Sequence, residues 1–421
     1  MFLRQQYLNR LVQAQGNGMI KIITGIRRCG KSYLLFTIFR DYLLSHGTDV
    51  SHIIEVDLES RRNAKLRTPD SLLAYIDSKI VDNGHYFVLL DEVQLVPEFE
   101  DVLNSYVKMS NVDVYVTGSN AKFLSTDVIT EFRGRGWEIR IHPLSFAEFY
   151  EYQGGDKHDA FLTYCRFGGL PPVVLMKTEK EKKNYLRTIF TTTYLRDIIE
   201  HNHLRNSEGM QSLIRVLASS IGSSSNPKRI ADTFSSKGTP MTSDTIRSYI
   251  NYLLDAFIVS EVLRYDVKGR KYIGSEMKYF FEDLGIRNTV LGFRQEEETH
   301  LMENAIFNEL QLRGYSVDVG LVEIWEQVNG KRARKNLEVD FVVNQEPRRL
   351  YIQSAYALPT REKTEQEQRS LIKIPDHFRK LIIVEDNHGG WVNEEGIEIM
   401  GLFDFLLNEG SLESVSMGTD L

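Results

Sequence analysis

Met19-Ile20-Lys21-Ile22-Ile23-Thr24, then Gly25-Ile26-Arg27-Arg28-Cys29-Gly30-Lys31-Ser32, then Tyr33-Leu34-Leu35-Phe36 is the stretch that decides the fold. A short β-rich run meets a glycine-bounded loop and passes into a helical pattern, the strand–loop–helix context of a phosphate-binding loop. Such a loop wraps phosphate with backbone N–H groups. It needs glycine where the chain passes too close for a side chain, and the helix N-terminus adds positive potential. On this reading Gly25, Ile26, Arg27, Arg28, Cys29, Gly30, Lys31, Ser32 and Tyr33 cradle a nucleoside triphosphate, expected to be ATP. Lys31 reaches the β and γ phosphates and Ser32 ligates magnesium. Arg27 and Arg28 either contact phosphate or pair with acids across the site.

Working outward, His85 to Gln94 reads HYFVLLDEVQ, an apolar strand with two acids at its carboxyl end. Asp91 is expected in the magnesium shell. Glu92 is expected to orient and deprotonate the attacking water, which makes it the main argument for hydrolysis; the plainer reading is a strand-terminal acid in a loop. A third apolar strand, Asp113 to Val116, delivers Thr117-Gly118-Ser119-Asn120 to the same sheet edge, where Ser119 or Asn120 can sense the γ-phosphate. In Glu131-Phe132-Arg133-Gly134-Arg135-Gly136, Arg135, ahead of Arg133, is the candidate arginine finger acting on a neighbouring subunit. An arginine in a Gly-flanked loop is equally an ordinary surface residue. A homo-oligomer is expected if the finger works in trans.

The motifs GIRRCGKS, LLDEVQ, TGSN, FRGRG, HPLSFAEF and, further on, FGGLPP together resemble the prokaryotic AAA+ ATPases of the archaeal-ATPase type that carry a C-terminal domain of unknown function. The likeness runs from Arg4 and Tyr7 to EVDFVV at Glu338 to Val343. It implies a five-stranded parallel sheet with helices on both faces. It also puts Lys31, Ser32, Asp91, Glu92, Ser119 or Asn120, and Arg135 on the family's nucleotide-site positions.

At 421 residues and 42% hydrophobic content the chain exceeds one ordinary core. The expected class is α/β, in four parts: a P-loop AAA+ core with a parallel sheet at 1–149, a helical lid at 150–204, a winged-helix domain at 205–283, and a restriction-endonuclease-like α/β domain at 284–421. A formal net charge of −7 means that any DNA contact must come from a local basic patch. Arg264, Lys268, Arg270, Lys271 and Lys278 around Gly269 form one candidate in the wing, and the loop Lys331-Arg332-Ala333-Arg334-Lys335 is another; a run of charge is also the usual look of a solvated face. Two cysteines, Cys29 and Cys165, make neither a disulfide framework nor a zinc site and suit the reducing cytosol. No run of eighteen apolar residues appears, so no membrane contact is expected and the location expected is cytoplasmic.

Glu303, Asp340 and the strand Leu350-Tyr351-Ile352-Gln353-Ser354-Ala355 are laid out like a PD-(D/E)xK nuclease. That chemistry needs a second acid where Gln353 stands and a lysine where Ala355 stands, so the centre is expected to be degenerate. Two rival readings accompany the ATPase: a nucleotide-gated DNA- or protein-binding switch with negligible turnover, and an ATP-dependent nuclease.

Overall fold

Short apolar runs with strand-forming side chains build the first layer: β1 (Ile20–Thr24), β2 (Ile53–Asp57), β3 (Tyr86–Asp91), β4 (Val112–Thr117) and β5 (Gly136–Arg140). They pair in parallel in the order β2-β3-β4-β1-β5. β1, β3 and β4 are buried along their whole length; β3 is apolar up to Asp91, and the two charges inside β1 and β4, Lys21 and Asp113, are buried as an ion pair with each other. The computed structural model describes residues 2–118, 132, 134–204, 206–295, 297–328, 331–345, 348–385 and 390–413. Ser119, Asn120 and Arg133 lie outside the described residues.

Helices α1 (Gln5–Gln13), α2 (Lys31–Tyr33), α3 (Arg40–Ser45), α4 (Pro69–Asp77) and α5 (Phe99–Val107) accompany this sheet, and a π-helical segment, Leu34–Phe39, joins α2 to α3. A helical unit follows: α6 (Phe146–Gln153), α7 (Lys157–Phe167), α8 (Pro171–Val174), α9 (Glu179–Ile189) and, after the π-helical Phe190–Leu195, α10 (Arg196–His201). Capping boxes fix two of its helix starts, Ser145 with Glu148 on α6 and Thr178 with Glu181 on α9. Gly168 ends α7 at φ 74°, and a Cβ there would lie 2.2 Å from Asp283 Oδ1.

Next come α11 (Ser207–Ser219), α12 (Pro227–Ser236), α13 (Ser243–Asp255), β6 (Val259–Asp266) and β7 (Lys271–Phe281). The chain continues through α14 (Leu284–Val290), α15 (Glu298–Leu312), β8 (Ser316–Val328), β9 (Lys331–Gln345), β10 (Arg348–Ala355) and α16 (Arg361–Ile372). It closes with β11 (Arg379–Val384), β12 (Trp391–Val392), β13 (Glu398–Gly401) and α17 (Leu402–Leu407). The second sheet is mixed and eight-stranded, in the order β12-β13-β11-β10-β9-β8-β6-β7. The expected boundary at 283 therefore runs through one sheet: β6 pairs in parallel with β8, from Arg264 opposite Val319 to Asp266 opposite Leu321.

β8 is a single strand, its pairing with β9 continuing past an irregularity between Asp318 and Gly320. One expectation is corrected. Lys331 to Lys335 is the opening of β9 rather than a loop. Each of its residues has a cross-strand partner on β8, from Lys331 opposite Val328 to Lys335 opposite Ile324. One hydrophobic core runs from Tyr7 and Ile23 through the helical unit to Phe341 and Leu406, a second fills the other face of the first sheet, and a third the other face of the second.

Candidate functional site

The loop after β1 takes the shape its glycines allow. Gly25 has φ 137°, and a Cβ there would stand 2.1 Å from the carbonyl oxygen of Ile141, so no other residue fits. Gly30 has φ 104° and precedes α2, and the N–H of Leu34, the residue that follows this helix, donates to the Gly30 carbonyl at 2.9 Å. Arg28 also takes a left-handed backbone, at φ 66°. Cys29 is fully buried behind the loop, and burial pushes its thiol pKa up, which suits packing rather than reactivity. Lys31 is buried, and its Nζ donates to the Gly25 carbonyl at 2.8 Å and the Ile26 carbonyl at 3.2 Å. Its ammonium thus stands inside the loop on neutral acceptors.

The acids arrive from β3. Asp91 closes that strand at 5% exposure; burial raises its pKa, while hydrogen bonds from Thr117 and Ser32 oppose the rise. Thr117, at the end of β4, donates through Oγ1 to Asp91 and accepts the Glu92 N–H at 3.1 Å. Glu92 leaves the strand in a left-handed conformation, φ 54°, and its carboxylate accepts from Gln94 Nε2. Asp57, level with Asp91 on β2, adds negative charge beside it. Ser32, Asp91 and Glu92, read from sequence, are therefore together at the strand ends, with Lys31 in the loop beside them. Thr117 was missed as a site residue although its place after an apolar strand was visible.

The helical unit grips the same loop. Tyr194 donates through its hydroxyl to the Arg27 carbonyl at 2.7 Å, and the Arg27 guanidinium pairs with Asp197 of α10 at 2.8 Å. A cleft of about 520 Å³ between this helix and the β3 end is lined by Arg27, Arg67, Glu92, Gln94, Asp197 and His201, among others. Arg135 stands elsewhere. Its carbonyl accepts the Ile20 N–H at 2.8 Å at the opposite end of β1, on the order of 15 Å from the loop at about 3.3 Å per strand residue. It does not enter the site of its own subunit.

The basic groups read as DNA contacts fare unevenly. Arg264 is a correction: at 15% side-chain exposure it bonds Glu276 and, at 2.9 Å, Glu338. Arg334 pairs with Glu323 and Lys335 with Glu326, while the Arg332 guanidinium lies 4.9 Å over the Trp325 ring. Lys268 donates to the Glu323 carbonyl at 2.7 Å, and Arg270 and Lys271 are exposed at the β6–β7 turn.

Glu303 of α15 and Asp340 of β9 do converge, but around a cation from another element. Lys278 of β7, 2% exposed, has its Nζ 2.7 Å from Glu303, 2.8 Å from Glu338 and 3.6 Å from Asp340. Burial drives the Asp340 pKa up, and the neighbouring Glu303 adds to the rise. Gln353 is placed on β10, whose next residue, Ser354, donates its N–H to Asp340 at 2.8 Å. Among the described residues, no group of three or more His, Cys, Asp or Glu side chains is arranged to hold a metal ion, and no helix is long and apolar enough to cross a membrane.

Comparison with known proteins agrees with this geometry. A family model described as an AAA domain matches residues 17–150, and one described as a domain of unknown function (DUF8612) matches 158–297. An uncharacterized protein of Haemophilus influenzae is 32% identical over 413 residues, 97% of this chain and 99% of its own length. An uncharacterized protein of Methanocaldococcus jannaschii is 28% identical over 351 residues, 80% of this chain and 75% of its own length. Among solved structures, Cdc6p of Pyrobaculum aerophilum covers 69% of this chain and 95% of its own at 11% identity and a TM-score of 0.29. A DNA polymerase III gamma subunit-related protein of Thermotoga maritima covers 61% and 97% at 11% identity and 0.30. At TM-scores this low they bear on neither mechanism nor partner. The full-length relative and the matched AAA domain fall on the chain whose loop and strand ends have just been described, which accordingly belongs to the family of AAA+ ATPases that carry a C-terminal domain of unknown function.

Proposed function

We propose that this chain binds ATP with magnesium at the Gly25–Ser32 loop, hydrolyses it, and couples the cycle to movement of the helical unit and the C-terminal sheet. The observation that carries the reading is the convergence of Ser32, Asp91, Glu92 and Thr117 beside the loop that holds Lys31. The loop fits a triphosphate because, among the described residues, the buried ammonium there donates to the Gly25 and Ile26 carbonyl oxygens and to no carboxylate, so its charge is left for an anion. Ser32 and Asp91 would hold magnesium, which when bound neutralises charge on the phosphates. Glu92 would take the proton from water, and Lys31 would hold the phosphates in line. Arg27 is the coupling point, since the loop and α10 share it through Asp197. A second joint lies at the Glu282 carboxylate, which bonds Arg140 at 2.8 Å and the His142 ring at 2.6 Å, tying the end of β5 to the end of β7.

Steady-state ATP hydrolysis by wild type, Lys31→Ala and Glu92→Gln tests the reading. Turnover lost in both variants, with ATP still bound by Glu92→Gln, supports it; turnover unchanged in Glu92→Gln refutes it. Activity per subunit that rises with protein concentration and falls in Arg135→Ala supports a finger in trans. The nucleotide-gated switch is favoured by one contact, the Gln94 amide that holds the Glu92 carboxylate. On that reading ATP binds tightly and Gln94→Ala releases turnover. The nuclease reading loses ground, because the Lys278 ammonium stands among the acids that would hold a metal.

A further inference from the structure

On the C-terminal sheet, a surface concavity of about 550 Å³ has among its walls Tyr265, Arg270, Tyr272, Arg348, Arg349 and Phe378. They come from β6, the β6–β7 turn, β7, β10 and the segment before β11, elements brought together only by the mixed sheet. Arg349 is fixed in place. Its guanidinium lies 5.0 Å over the Tyr265 ring and 5.7 Å over the Phe378 ring, its Nε donates to Asn344 Oδ1 at 2.8 Å, and its Nη1 donates to the Tyr265 hydroxyl at 3.3 Å. Tyr272 stands edge-on to Tyr265, with centroids 5.5 Å apart, and leaves 59% of its surface open; Phe378 leaves 41%. The nearby acids are engaged: Asp318 accepts from Tyr272 and Asn344, and Asp376 from Tyr351. Among the described residues, Arg270, Arg348 and Arg349 form no ion pair, in contrast to Arg264, Arg334 and Lys335.

We propose that this concavity binds single-stranded nucleic acid, with unstacked bases on the Tyr272 and Phe378 rings and backbone phosphates on Arg270 and Arg348. Three guanidinium groups in one hollow select an anion, and two open aromatic faces select a flat, weakly hydrated partner; an unpaired nucleotide strand supplies both. A duplex keeps its bases stacked away from such rings. An acidic peptide would satisfy the arginines and leave the rings wet. The inference does not depend on ATP hydrolysis and is measured without nucleotide.

The test is fluorescence anisotropy with a labelled oligothymidylate, the same-length abasic strand and the same-length duplex, on the full chain. The oligothymidylate is expected to bind about tenfold more tightly than either competitor. Tyr272→Ala and Phe378→Ala are each expected to weaken it about tenfold, while Tyr272→Phe keeps it. Arg348→Ala is expected to lower the salt dependence by about one phosphate contact. Equal affinity for the abasic strand, tighter binding of duplex, no loss in the two ring variants, or no binding at all would each overturn the proposal. Both rings are open to solvent, so these variants keep the fold, and an unchanged melting temperature verifies that.

Discussion

Replacing Glu282 by Gln keeps shape and removes charge from the joint between the two sheets. Burial alone would raise this carboxyl, but Arg140 and His142 beside it overcome that and hold it at about 2, against an ordinary value of 4.5. The difference, at about 1.4 kcal/mol per unit, makes the ionised form contribute about 3 kcal/mol to the folded chain. The sign follows from the depressed value: the contribution is complete above pH 4.5 and is lost as pH falls from 4.5 toward 2. Glu282→Gln is therefore expected to lower stability by about 3 kcal/mol at pH 7 and by progressively less below pH 4.5. Urea denaturation at pH 7 and at pH 3.5 reads this, with Trp137 on β5 reporting the first sheet. A loss of equal size at both pH values, or none at pH 7, would refute the reasoning.

Other substitutions probe the remaining contacts. Asp197→Ala breaks a half-exposed ion pair worth less than about 1 kcal/mol, so the melting temperature should hardly move while ATP affinity changes several-fold; titration with a fluorescent ATP analogue checks both halves. Gly25→Ala drives a methyl group into the Ile141 carbonyl at a left-handed φ and should abolish nucleotide binding and cost several kcal/mol, read by calorimetry. Lys278→Met leaves the buried Glu303 and Asp340 without the cation they share with the partly exposed Glu338, and should cost about 3–5 kcal/mol at pH 8. Because burial raises Asp340, that cost should shrink as pH is lowered, which a thermal-melt series across pH checks.

What the sequence made legible was local. The Gly25–Ser32 loop, the apolar β3 ending in Asp91-Glu92 and the polar end of β4 are each written in consecutive residues, because glycine spacing and unbroken apolar runs act over one strand or one turn. Contacts between distant segments were not legible. Nothing near Arg27 announces Asp197 or Tyr194, which reach it only once α9 and α10 fold back over the loop. The nuclease-like pattern directs attention to a lysine at position 355, where Ala355 stands, while the cation among the acids comes from β7, which reads only as the second strand of a wing. The basic run Lys331 to Lys335 looked like a loop because charge density imitates solvent exposure. Its alternation is instead that of a strand whose arginine and lysine pair with glutamates of β8.

Strand β7 carries one further consequence. Lys278 anchors it among the acids of the C-terminal sheet, and Glu282, one residue past its end, anchors it to Arg140 and His142 of the first sheet. From Lys278 to Glu282 is four residue steps, about 13 Å at the rise of a strand, and an even number of steps keeps the two anchors on one side of the line of β7. This segment is a ruler. Inserting or deleting a single residue between 278 and 282 would turn one anchor to the opposite face, so neither joint could be kept without losing the other, whereas changes of length at the exposed β6–β7 turn would leave both untouched.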